Sequence, residues 1–195
     1  MKYSNREKKD LAFAGFMISL AFSILLAGGI KADFNSQILE IFLIAFFTAG
    51  IGFLLHELMH KFYAQKYNCW AEFRADYKMN VFAVVVSFFG FIIAAPGAVY
   101  IRGNISTEKN GKISLAGPVT NIVLALIFLP LAILYSQGLV ATLAGFGLTI
   151  NSLLAAFNMI PTMPFDGAKV IKWNKRVYYT TLIIAVGLFV LSWLV

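Results

Sequence analysis

Residues 38–60 read ILEIFLIAFFTAGIGFLLHELMH. From Ile38 to about Leu58 the stretch is apolar and long enough to cross a bilayer core as a helix, which takes ~20 residues. It runs directly into His56-Glu57-Leu58-Met59-His60. Three ionisable side chains at the end of an apolar span are expensive in lipid and are kept there for function. Composition agrees with the span. Of the 195 residues, 60% are hydrophobic and 13% are charged, and the mean hydropathy is +0.80. A soluble domain of this size cannot hide so much apolar surface and keep a wet exterior. The chain is therefore read as an all-α polytopic membrane protein.

Outward from this span, Leu11 to Ile30 is a second apolar run, preceded by Lys2, Arg6, Lys8 and Lys9. It is longer than a secretory h-region and lacks a small-x-small cleavage site, so it reads as a retained span. Further runs cover about Leu115–Tyr135, Leu139–Met159 and Val177–Val195, giving about five transmembrane helices. Residues 81–101 are apolar too, but Gly90 and Ala95-Pro96-Gly97 interrupt them. Charge decides their topology. Lys61, Lys66, Arg74 and Lys78 precede the stretch, and Arg102, Lys109 and Lys112 follow it. If it does not cross, these residues share one side with the N-terminal cluster and with Lys169, Lys172, Lys175 and Arg176, leaving only Lys31 opposite. That is the positive-inside pattern, with the N-terminus and the histidine end cytoplasmic. Residues 81–97 are thus expected to re-enter or lie along the membrane, where irregular backbone must be buried in protein or line a wet cavity.

The expected organisation is one membrane-embedded domain over 1–195, with a core at 38–175 and accessory spans at 11–30 and 177–195. The formal net charge of +7 sits in clusters beside spans, so the bilayer and not nucleic acid is the expected partner. The single cysteine, Cys69, excludes an intrachain disulfide. A small β element is expected as well. Ala71 to Tyr77 alternates polar and apolar residues with period two, and Asn110-Gly111, between Ile105 and Leu115, suits a hairpin turn.

The chain has two histidines, His56 and His60. A spacing of four puts both imidazoles on one helix face, a turn apart, where they can share a tetrahedral metal. Glu57 between them completes H-E-x-x-H, the pattern in which the glutamate is the general base of a zinc peptidase. A catalytic zinc takes three protein ligands and leaves a position for water, so the third ligand must be a carboxylate or Cys69. Beyond the motif, Glu72, Asp76 and Glu108 lie in charged, loop-like sequence. Asp166 follows an apolar span in Asn158-Met159-Ile160-Pro161-Thr162-Met163-Pro164-Phe165-Asp166-Gly167, where the prolines break the helix and open a polar site. Asp166 serves either as that ligand or as the N-cap of a short helix from Ala168. An even number of crossings between His60 and Asp166 would return both to one side.

These motifs together resemble the site-2 proteases, which cut transmembrane helices within the membrane. The resemblance rests on His56 to His60, on Ala116-Gly117-Pro118-Val119-Thr120-Asn121 opening a span, and on N-x-x-P-x-x-P-x-D-G from Asn158 to Gly167. It spans about residues 38–175. It implies one Zn2+ per chain on His56, His60 and Asp166, with Glu57 activating water. It also implies that Asn121 and Asn158 lie near the scissile carbonyl, although Asn121 would equally serve as interhelical hydrogen-bonding glue. The implied substrate is a transmembrane helix of a membrane-tethered protein, unwound locally before attack, and the 71–77 strand offers an edge for it to pair with. The chain departs from some members in having no room for a PDZ domain between its core spans, so recognition falls to residues 61–111. Other membrane peptidases with H-E-x-x-H draw a glutamate from a later helix, and here the later glutamates, Glu72 and Glu108, are in strand or hairpin sequence. The reading of a different class is a non-catalytic zinc-binding membrane protein, which would not need Glu57.

Overall fold

The structure is a computed structural model and describes residues 1–31, 37–92 and 96–195. It is helical apart from one two-stranded sheet. In chain order the elements are α1 (Asn5–Leu26), α2 (Ile38–Lys66), β1 (Trp70–Ala75), α3 (Tyr77–Ser87), β2 (Gly97–Arg102), α4 (Thr107–Leu134), α5 (Gly138–Asn158), α6 (Gly167–Trp173) and α7 (Lys175–Leu191). Four of these, α1, α2, α4 and α5, are long and apolar enough to cross a membrane, and they make the chain a membrane protein. The expected fifth span falls on α7, whose 17 residues extend only about 25 Å at 1.5 Å per residue, the short end of what crosses a bilayer. By packing, the described chain divides into two compact units, one of residues 2–54 and 72–100, the other of residues 55–71 and 101–195.

In the first unit, α1 packs on the N-terminal half of α2 and on α3. Its start is fixed by Ser4, whose hydroxyl accepts the Glu7 N–H at 3.1 Å, an ordinary N-cap. The crossing with α2 is close because small residues face each other. A Cβ on Gly50 would stand 2.2 Å from Ser19 Oγ, and one on Gly15 would stand 2.8 Å from Leu54 Cδ1. Close backbone approach of this kind is how helices associate without a hydrophobic driving force between them. Within α2, residues Phe46–Gly50 form a π-helical turn, which re-phases the side chains that follow it.

The sheet is antiparallel. Asp76 N–H donates to Pro96 O at 3.0 Å, so residues whose numbers sum to 172 face each other, and even-numbered backbone groups point across the ladder. The odd-numbered groups of β1 point outward, and side chains occupy three of them. Phe73 N–H donates to Glu7 Oε1 at 2.9 Å, Phe73 O accepts from Arg74 Nη1 at 3.1 Å, and Ala71 O accepts from Gln65 Nε2 at 3.4 Å. The edge of 71–77, expected to take a substrate strand, is therefore engaged at its middle by Glu7 and Arg74. On β2 the outward groups belong to Val99 and Ile101, and no described residue hydrogen-bonds them outside the ladder.

The expected β element is present with a different second strand. Residues 107–111 lie in α4, not in a hairpin. Ser106 caps that helix, accepting Lys109 N–H at 3.3 Å, and a Cβ on Gly111 would stand 2.4 Å from Trp173 Cβ. The glycine serves close packing against α6, so the Asn-Gly pair carries no turn. The second strand comes instead from the interrupted apolar stretch. There α3 has 11 residues, about 16 Å at 1.5 Å per residue, too short to cross. Asn80, fully buried, ties its start to the strand by donating to Pro96 O at 2.6 Å. Within the expected re-entrant segment 81–97, residues 93–95 lie outside the described residues.

In the second unit, α4 packs along α5 and against α6, and α5 packs against α7. Ile122, Ala125, Ala132, Ala144, Leu148 and Ala155 form its apolar centre. The C-terminal end of α2 enters this unit and stops at Asn68, whose φ of 60° is the left-handed turn that ends helices.

Candidate metal centre

The residues of this site all belong to the second unit. Helical periodicity alone stacks His56 over His60, and their ring centroids are 4.6 Å apart with the rings nearly perpendicular. One ligand atom from each of His56, Glu57 and His60 lies within 4.8 Å of the other two, and all three residues are buried. Asp166 comes to the same histidines from the other end of the unit. Its Oδ2 lies 3.3 Å from His56 Nε2 and 3.0 Å from His60 Nε2. Asp166 occupies the N-cap position of α6, but its side chain makes no capping hydrogen bond and faces the two histidines.

The loop from α5 to α6 places that carboxylate. Phe157 and Phe165 pack edge to face at 4.9 Å. Gly167 lies so close to the Met159 carbonyl that a Cβ there would stand 2.3 Å from its oxygen. Burial alone would raise the Asp166 carboxyl, but the neighbouring His60 and hydrogen bonds from both imidazoles outweigh it and hold the group well below the usual carboxylate range. Lys169 Nζ, 3.6 Å from Oδ1, adds a further positive charge.

Behind the rings, His56 Nδ1 is 2.6 Å from Asn121 Oδ1 and His60 Nδ1 is 2.8 Å from the Ile113 carbonyl oxygen. Each imidazole therefore has an oxygen acceptor on Nδ1 and the Asp166 carboxylate on Nε2. Such a ring is either doubly protonated or carries a cation on Nε2. Two buried imidazolium ions this close, with one carboxylate between them, are costly. A divalent ion on the two Nε2 lone pairs and the carboxylate satisfies all three groups. Tetrahedral zinc bonds of about 2.0–2.2 Å set neighbouring ligand atoms roughly 3.3–3.6 Å apart, so the observed 3.3 and 3.0 Å need a few tenths of an ångström of adjustment at most. The donor set fits zinc, and both histidines have the outer acceptor that zinc-binding histidines ordinarily use.

Comparison with known proteins gives the same answer. A protein of Methanocaldococcus jannaschii named "Putative zinc metalloprotease MJ0611" is 42% identical over 180 residues, covering 91% of this chain and 89% of its own length. The chain belongs to the site-2 protease family of zinc metalloproteases. More distant relatives are Rip3 of Mycobacterium tuberculosis, also named as a zinc metalloprotease, at 29% identity over 63% of this chain and 29% of Rip3. YwhC of Bacillus subtilis, named likewise, is 27% identical over 64% of this chain and 66% of YwhC. No family model and no solved structure matches.

The other residues singled out from the sequence are distributed differently. Asn121 is fully buried behind His56. Asn158 donates to Leu154 O of its own helix at 2.9 Å. Glu108 is exposed and pairs with Lys112 at 2.5 Å, Glu72 pairs with Arg74 at 2.8 Å, and the Cys69 thiol bonds Tyr67 O at 3.7 Å. Sequence reasoning missed Gly117 and Asn151. A Cβ on Gly117 would stand 2.4 Å from His56 Nε2, so α4 must be bare at this point. Asn151 was detectable as an amide inside an apolar span, where polar side chains rarely lack a role.

Proposed function

We propose that the protein is an intramembrane zinc endopeptidase that hydrolyses peptide bonds in or near transmembrane helices of membrane-tethered proteins. The observation that carries this reading is the convergence of both Nε2 atoms and the Asp166 carboxylate, with Glu57 beside them, at the end of a membrane-length helix. His56, His60 and Asp166 hold one zinc per chain. Zinc bound there supplies a Lewis acid that lowers the pKa of a coordinated water to about 7 and polarises a carbonyl. Glu57 takes the proton of the attacking water and returns it to the leaving amine. Asn121 has its carbonyl engaged by His56, so its part is to orient that ligand, and Asn158 is the amide left to face the scissile carbonyl. The N-terminus and the histidine end face the cytoplasm, in keeping with the clustered lysines and arginines.

The test uses the full chain in detergent, with zinc measured by elemental analysis and cleavage of a model transmembrane substrate followed by gel. The expected result is one zinc per chain, cleavage abolished by a chelator and restored by zinc, and zinc binding weakened at least about 100-fold in Asp166→Asn. Asp166 makes no capping bond, so the variant should keep the wild-type helix content by circular dichroism. Wild type without zinc would overturn the metal reading. Zinc bound by wild type without cleavage would favour a non-catalytic binder.

An unwound substrate needs partners for its amides. We assign that role to the outer edge of β2, whose Val99 and Ile101 outward groups no described residue hydrogen-bonds, while Phe73 on β1 is engaged through both its N–H and its C=O. Val99→Pro removes an outward donor and leaves the β1–β2 ladder whole, because odd-numbered groups do not cross it. Cleavage should fall about tenfold, the worth of one or two hydrogen bonds, whereas Ala75→Pro on the β1 edge, beside the engaged Phe73, should change it less than twofold. Equal effects of the two prolines would refute the assignment.

A further inference from the structure

We propose that Asn151 is a positioning residue for the metal centre, fixing through Asn121 which nitrogen of His56 carries its proton. This rests on the metal reading above. Three hydrogen bonds connect the residues. Asn151 Nδ2 donates to the Gly147 carbonyl oxygen at 2.9 Å, Asn121 Nδ2 donates to Asn151 Oδ1 at 3.0 Å, and Asn121 Oδ1 lies 2.6 Å from His56 Nδ1. Both asparagines have no exposed surface.

The direction of this relay is set at one end. A backbone carbonyl only accepts. Asn151 must therefore turn its amide nitrogen to Gly147 and its oxygen to Asn121. Asn121 must then offer its nitrogen to Asn151, which leaves its oxygen for His56. An oxygen facing Nδ1 requires a hydrogen there, and the Nε2 lone pair is then free on the side of Asp166. Flipping either amide would set oxygen against oxygen in a dry interior, where an unmatched polar atom is costly. His60 reaches the same state in one step, since the Ile113 carbonyl accepts from its Nδ1 directly at 2.8 Å. The two ligands are thus prepared alike, one by a backbone carbonyl and the other by a backbone carbonyl acting through two side-chain amides.

A pair of asparagines serving only to join α4 and α5 would leave the metal centre unchanged when the relay is cut, and the variants separate the two roles. Asn151→Leu keeps the branched outline of the side chain with slightly more bulk and removes the relay, so Asn121 can turn its nitrogen toward His56 and favour the wrong tautomer. Asn151→Asp keeps it, because a buried carboxyl stays neutral, donates O–H to Gly147 and accepts from Asn121. In the full chain in detergent, zinc affinity is measured by chelator competition, and the visible spectrum of the cobalt-substituted protein reports the ligand field. Asn151→Leu is expected to weaken zinc binding about 10- to 100-fold and to change the cobalt spectrum with helix content preserved. Asn151→Asp should bind zinc within about threefold of wild type and restore the spectrum. Unchanged zinc affinity in Asn151→Leu, or equal losses in both variants with an unchanged cobalt spectrum, would leave Asn151 a packing residue and overturn the proposal. A wild-type chain that binds neither metal would instead remove the metal reading, and this inference with it.

Discussion

Gly117→Ala is expected to cost the protein its zinc and its cleavage activity while leaving the helices folded. The added methyl would stand 2.4, 2.6 and 2.6 Å from Nε2, Cδ2 and Cε1 of His56, distances at which something must move. The ring has little freedom to give way, because Asn121 holds its Nδ1 at 2.6 Å and the residue is buried. Either α4 retreats or the imidazole swings out of line with Asp166. A misplacement of about 1 Å at such a centre costs on the order of 100-fold in rate, and loss of a ligand costs more. Helix propensity argues in the opposite direction, since alanine is favoured over glycine by about 1 kcal/mol in a helix. Helix content equal to that of wild type, together with zinc affinity reduced at least ~100-fold, would therefore be diagnostic. Gly145→Ala is the control, since a Cβ there meets nothing within 4 Å, and it should bind zinc and cleave as wild type. Full zinc occupancy in Gly117→Ala would show that the site does not require the close approach of α4.

Glu57→Gln is expected to retain zinc and to cleave about 10²- to 10⁴-fold more slowly, the usual worth of a positioned general base. The substitution keeps shape and hydrogen-bonding reach but cannot take up a proton. Zinc should remain because His56, His60 and Asp166 already converge on one point. Measuring zinc and cleavage on the same preparation separates the possibilities. Loss of zinc would make Glu57 a ligand and displace Asp166 from that role. Cleavage at the wild-type rate would move the base elsewhere.

The two halves of the site were not equally legible. His56, Glu57 and His60 lie within one and a half turns of one helix, so the 3.6-residue repeat places them before any tertiary contact forms. Asp166 was reachable from its motif and its prolines, but only the fold shows that its side chain faces the histidines and makes no capping bond. The Asn110-Gly111 turn was misread because its local preference is weak beside a capped helix that packs on Trp173. The second strand was hidden in an apolar stretch whose hydropathy resembles a span.

Hydrophobic length and period alone were enough to show that the chain is a helical membrane protein, roughly where its four membrane-length helices lie, and that one helix face carries a zinc-peptidase motif. All of these follow from hydrophobic length and helical period, which are local properties. The packing of the folded chain was needed to show that Gly117 must be bare, that Asn151 reaches His56 through Asn121, and that Glu7 and Arg74 engage the outward groups of Phe73 on β1. These depend on the rotation and crossing of helices and on what covers a strand. Contacts between residues far apart in the chain fix them, and no local period encodes such contacts.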